Sequence, residues 1–128
     1  MTSVDHRNAE RYLVRWRIAL VFDEHDNKPT YHGRTHDLSL SGTGMVTEAN
    51  VFTEAPVVIL LAPPPLYEKH RPKIIEIAAR QVYCVYSGAL SGFHLGFQFT
   101  YVKGDGLQMI RERLEHHQPV RKGVLVRQ

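Results

Sequence analysis

With one cysteine, Cys84, in 128 residues, the chain cannot build an intrachain disulfide, and a reducing compartment is the simpler expectation. No cysteine cluster stands beside its histidines, so a zinc site is not encoded. The adjoining His116 and His117 diverge by about 100° on a helix and read as cations favourable to its C-terminal end. Long apolar runs are missing too. The longest, Val57 to Ala62, is too short to cross a bilayer. Met1 to Arg11 is polar and lacks the apolar centre of a secretion signal. There is no internal repeat and no low-complexity tract. The expectation is a cytoplasmic protein of one domain, without membrane insertion.

Strong charge of either sign is also lacking. The net charge is +3, with 43% hydrophobic and 23% charged residues, as in an ordinary globular protein able to bury a core. The basic residues are placed unevenly. Seven of the 16 Lys+Arg are Arg7, Arg11, Arg15, Arg17, Arg121, Lys122 and Arg127, near the two ends. That placement suits an anionic partner better than the net charge does.

Residues 1–11 read as a flexible polar arm and 118–128 as a loosely held basic tail, with the folded unit over 12–117. From Tyr12 to Phe22 the pattern alternates, with Tyr12, Val14, Trp16, Ile18, Leu20 and Phe22 on one face and Arg15 and Arg17 on the other. That period of two predicts a half-buried strand. Further strands are expected over 30–39, 43–47, 56–61, 73–86 and 93–101, the last two joined by a glycine-bearing hairpin turn. Pro63, Pro64 and Pro65 end the fourth, since proline donates nothing to a ladder. Leu107, Ile110, Arg111 and Leu114 recur at helical spacing, predicting a helix that ends near His117 before Pro119. Six strands and one late helix predict an all-β fold with a C-terminal helix, arranged as a small antiparallel barrel.

Two polar groupings stand out from this packing pattern. One is Asp37-Leu38-Ser39-Leu40-Ser41-Gly42, at the end of a strand; the other is the pair Arg7 and Arg11. A carboxylate, a hydroxyl and a glycine at a strand end offer acceptors and close backbone approach. Arginine forks four residues apart suit phosphate and guanine edges. In the alternative reading Asp37 and Ser39 cap a turn, Gly42 supplies a positive φ and the arginines are solvated.

The order Arg7-x-x-x-Arg11, then Asp37-x-Ser39-x-x-Gly42, resembles the signature of PilZ domains, bacterial receptors for cyclic di-GMP. The glycine-centred stretch Phe93 to Phe99 and the helix after the strands resemble the family as well, so the likeness covers about residues 6 to 115. It implies a six-stranded PilZ-like barrel. It implies that Arg7 and Arg11 clamp phosphates and guanine, that Asp37 and Ser39 read guanine edges, and that Gly42 keeps the turn open. Many family members carry an arginine where this chain has His6. That position is associated with how many ligand molecules bind, and one or two remain open here. The resemblance further implies an effector with no cofactor, whose ligand folds the arginine arm over the barrel and alters contact with a partner protein in motility, biofilm-related export or secretion.

Three rival readings compete with this one. His36, Asp37 and Ser39 are triad ingredients, but strand alternation sends His36 to the face opposite its neighbours, so no enzyme is expected. A nucleic-acid-binding barrel could use Arg15, Arg17 and Arg34 with Trp16 and Tyr31, yet Trp16 falls on the apolar face. A PilZ-like module that has lost its ligand and only binds proteins is the third.

Overall fold

The stretch Val57–Ala62 is apolar at every position, and a strand of that kind is stable only with both faces covered. In the computed structural model, which describes residues 10–22, 30–65, 71 and 73–117, it is one of six strands. These are β1 (Arg17–Phe22), β2 (Tyr31–Leu38), β3 (Gly42–Thr47), β4 (Val57–Ala62), β5 (Ile75–Ser87) and β6 (Gly92–Val102). They close into an antiparallel barrel in the order β1-β2-β3-β6-β5-β4. Closure leaves no sheet edge to template aggregation. The six-stranded antiparallel barrel expected from the strand pattern is the one observed.

Alternate residues point inward and fill the barrel. Leu20, Leu38, Ile59, Ile77, Leu95 and Phe99 are fully buried. Each such side chain contributes on the order of 1.5–3 kcal/mol from burial alone. One helix, α1 (Gly106–Leu114), follows β6 and buries Met109, Ile110 and Leu114 in the same core. Its first residue lies so close to the barrel that a Cβ on Gly106 would meet Ile75 Cγ2 at 2.6 Å. Arg113, also buried, donates from Nε to the Pro64 carbonyl at 3.1 Å and ties the helix to the end of β4. The helix ends at Leu114, three residues before the expected stop. The chain then tightens into a turn closed by the His117 N–H on the Leu114 carbonyl.

The first strand is shorter than alternation predicts. Val14 and Trp16 do face the core and Arg15 and Arg17 do face outward, but the ladder begins at Arg17. Upstream, Thr35 substitutes for it. Its buried hydroxyl donates to the Val14 carbonyl and accepts from the Trp16 N–H at 2.8 Å. Tyr12 then pairs once more with Leu38, through N–H to carbonyl bonds of 2.8 and 2.9 Å. This bridge brings Arg11 beside Asp37. The arm over 1–11 and the tail over 118–128 fall almost wholly outside the described residues, as do His6 and Arg7.

Candidate functional site

Two irregularities in the barrel build the site. Along β2, Thr35 pairs with Met45 and Asp37 with Gly44, so β2 advances two residues while β3 advances one. Along β5, Gln81 pairs with Phe97 and Tyr83 with Gly96 in the same way. Each is a bulge, at His36 and at Val82, and each reverses the alternation beyond it. Thr35 and Gln81 point into the core, whereas Asp37 and Tyr83 point out. The register then sets Asp37, Gly44, Gly96 and Tyr83 in one row across β2, β3, β6 and β5. Two side chains with chemistry face each other over a floor of two glycines.

That floor is close-fitting. A Cβ on Gly44 would lie 2.5 Å from His94 Nε2 and 2.9 Å from Asp37 Oδ1. Arg11, Asp37, Ser41, Tyr83 and Gln98 are among the side chains around a cleft of about 300 Å³ above it. That is the low end of the roughly 300–1,000 Å³ typical of small-ligand sites.

Asp37 is fixed at one oxygen and available at the other. Oδ1 accepts the Gly44 N–H at 2.8 Å, and Oδ2 lies 3.5 Å from Arg11 Nη1. The Arg11 side chain is 64% exposed and that of Asp37 16%. An ion pair with so exposed a partner is worth only about 0–1 kcal/mol, so an incoming ligand can displace it cheaply.

Ser39 and Gly42 hold the platform together. Ser39 is 4% exposed, and its Oγ accepts the N–H groups of Ser41 and Gly42, each at 3.1 Å. The hydroxyl also lies within reach of the Gly42 carbonyl and Ser41 Oγ, so its bonding capacity is spent inside the turn. Gly42 has no positive φ; among the described glycines only Gly104 does. It is glycine because the Phe97 carbonyl oxygen would stand 2.4 Å from a Cβ there. The turn-capping alternative is therefore right for Ser39 and gives the wrong reason for Gly42.

His36 is not on the face opposite Asp37, as alternation predicts, because it is itself the bulged residue. Its ring lies 5.2 Å from that of His94, and its buried Nδ1 has no hydrogen-bond partner among the described residues. His94 in turn meets Tyr83, with Nε2 3.3 Å from the phenol oxygen and the rings edge to face at 5.3 Å. Burial, then the neighbouring His36, lowers the His94 pKa from its usual 6.5, opposed by Asp37. Burial, then Asp37, raises that of Tyr83 above 10.0. Tyr83, His94 and the two floor glycines lie outside the spaced motif that the sequence displays. Only the glycines carried a signal there, since glycine inside a strand marks a bulge or a close approach.

Trp16 is 4% exposed, so the aromatic that a single-strand surface would need is inside the core. Among the described residues no group of three or more His, Cys, Asp or Glu could hold a metal, and no helix is long and apolar enough to cross a membrane.

Comparison with known proteins bears on the family and the fold. A family model for the PilZ domain matches residues 5–116. Two solved structures share the fold. The Bacillus subtilis inhibitor of motility, MotI/DgrA, superposes with a TM-score of 0.65 at 14% identity, over 92% of this chain and 56% of that one. The PilZ domain of Escherichia coli YcgR, solved with c-di-GMP, superposes with a TM-score of 0.57 at 17% identity, over 86% of this chain and 88% of that one. This chain thus spans little more than half of MotI/DgrA. No curated protein matches it.

Proposed function

The chain belongs to the PilZ domain family, and from that premise we propose that it is a receptor for cyclic di-GMP, bound in the cleft between Arg11 and Tyr83. The observation that carries this reading is the placement of Asp37. Its Oδ2 faces the cleft beside a guanidinium, while Oδ1 is held by backbone. A carboxylate so presented accepts from the N1–H and N2–H₂ donors of guanine. Arg11, released from a weak ion pair, turns its fork to phosphate or to the O6 and N7 acceptors. The Tyr83 ring, 38% exposed, offers an apolar face across the floor. Ser39 and Gly42 serve by holding the turn that follows Asp37 and joins β2 to β3.

Arg7, with His6 before it, completes the site when the ligand draws the arm ahead of Arg11 over the cleft. Ordering roughly eight residues costs about 8–16 kcal/mol, against a net of about −8 kcal/mol for micromolar binding. Several charge-assisted bonds must therefore form together, and neither arginine suffices alone. The rearranged arm is the signal read by a partner protein. That one structural neighbour is an inhibitor of motility favours motility as the output. No catalytic step is assigned to the chain.

Calorimetric titration with cyclic di-GMP tests the reading. Saturable binding with one or two molecules per chain is the expected result. Absence of saturable heat at any accessible concentration would overturn it and leave the domain as a protein-binding module.

A further inference from the structure

The outer face of β1 and β2, away from the cleft, carries a second arrangement. Arg17 and Arg34 stand directly opposite each other in the β1–β2 ladder, and both are exposed. Like charges in that position destabilise a strand pair. Among the described residues no carboxylate relieves them, since neither arginine forms an ion pair there. The next outward pair places His32 beside them. Glu48 lines the adjoining cleft beyond Arg34, together with Arg15, and is paired with neither.

On the other flank the surface turns aliphatic. Ala62 lies across the ladder from Arg17, Leu60 is two residues before it, and Ile74 is 59% exposed. With the two arginines and His32 these residues line an open groove of about 640 Å³. An unrelieved arginine pair beside an exposed aliphatic strip is unfavourable in the isolated chain by both charge and burial. A ligand bearing carboxylates next to aliphatic groups resolves both.

We propose that this groove docks an acidic, aliphatic-bearing segment of a partner protein, with its carboxylates on Arg17 and Arg34 and its apolar side chains on Leu60 and Ile74. The occupant is a protein insofar as the chain acts as the effector described above; the groove itself is independent of the dinucleotide. Both cations are arginines, the residue suited to bidentate carboxylate contacts and enriched at protein interfaces. The strip contains no aromatic on which bases could stack, as single-stranded nucleic acid requires. Two arginines are fewer charges than the basic clusters that hold proteins on anionic membranes.

Fluorescence polarisation of the full chain provides the test. The probe is a fluorescein-labelled helical peptide carrying Glu and Leu on one face, beside a version with Gln for every Glu. Expected is saturable binding of the Glu peptide, about tenfold or more weaker for the Gln peptide and for Arg17→Gln/Arg34→Gln. The double variant should also gain thermal stability at low salt, a gain that disappears at high salt as the repulsion is screened. It should titrate with cyclic di-GMP as wild type does, which separates this proposal from the receptor reading. Failure of the Glu peptide to bind, equal binding of the Gln peptide, or tighter binding of phosphatidylglycerol vesicles or a single-stranded oligonucleotide overturns the proposal.

Discussion

The ring of Tyr83 lies flat against Gly96, so closely that a Cβ on residue 96 would sit 2.2 Å from Tyr83 Cε2 and 2.5 Å from Cζ. The glycine is what allows the ring to rest on the barrel and reach His94. Gly96→Ala should therefore push the ring outward and cost about 1–3 kcal/mol of stability, in the range of other overpacked sites. On a Tyr83→Ala background the same substitution should cost much less, because the clashing ring is gone. A double-mutant cycle by denaturant unfolding measures this coupling. Equal costs in both backgrounds would show that Gly96 matters for its backbone rather than for the ring.

Ser39 and Asp37 are separated by one residue but should fail differently. Ser39→Ala leaves the N–H groups of Ser41 and Gly42 without their acceptor in a half-buried turn. An unsatisfied buried donor costs about 1–3 kcal/mol, and these half-buried ones should cost about 1 kcal/mol, the low end of that range. The expected result is a lowered midpoint of unfolding, with ligand affinity falling as a consequence of the disturbed turn. Wild-type stability together with lost binding would instead assign the hydroxyl to the ligand.

The fold could be read from the sequence because its determinants are local. Alternation from Val14 to Leu20, the prolines after Ala62 and the helical spacing of Ile110 and Leu114 each act within a few residues. Half of the candidate site is legible for the same reason, since Arg11, Asp37, Ser39 and Gly42 form a spaced motif. The other half depends on register. Tyr83 joins Asp37 only because bulges at His36 and Val82 shift the pairing on both sides of the β3–β6 pair, and a period-of-two reading sends both residues inward. A bulge is a property of two strands together. Neither strand's sequence announces it.

His94 should make stability depend on pH. Its folded pKa is lowered from 6.5, first by burial and then by His36. In the window between 6.5 and the lower folded value, the unfolded chain binds a proton that the folded protein resists. Stability from this group is full above 6.5 and declines as pH falls through that window. His94→Gln should flatten the decline in melting temperature between neutral and mildly acidic pH. His36→Gln should flatten it less, because desolvation of His94 persists without the second imidazole. An unchanged profile in His94→Gln would place the titration on another of the eight histidines.

Asp37→Asn isolates the charge from the structure. The amide oxygen can still accept the Gly44 N–H, and the ion pair lost with Arg11 is worth no more than about 1 kcal/mol, so folding should change little. Cyclic di-GMP affinity should nevertheless fall by about tenfold or more, because an amide turned toward guanine presents a donor where the carboxylate presented an acceptor. Arg11→Ala and Arg7→Ala should each lose about as much. The combination Asp37→Asn/Arg11→Ala decides how the two act. If Arg11 serves only to neutralise Asp37, the double variant binds no worse than the weaker single variant. If both groups touch the ligand, the losses multiply, and calorimetry on the four proteins should show a double variant about a hundredfold weaker than wild type.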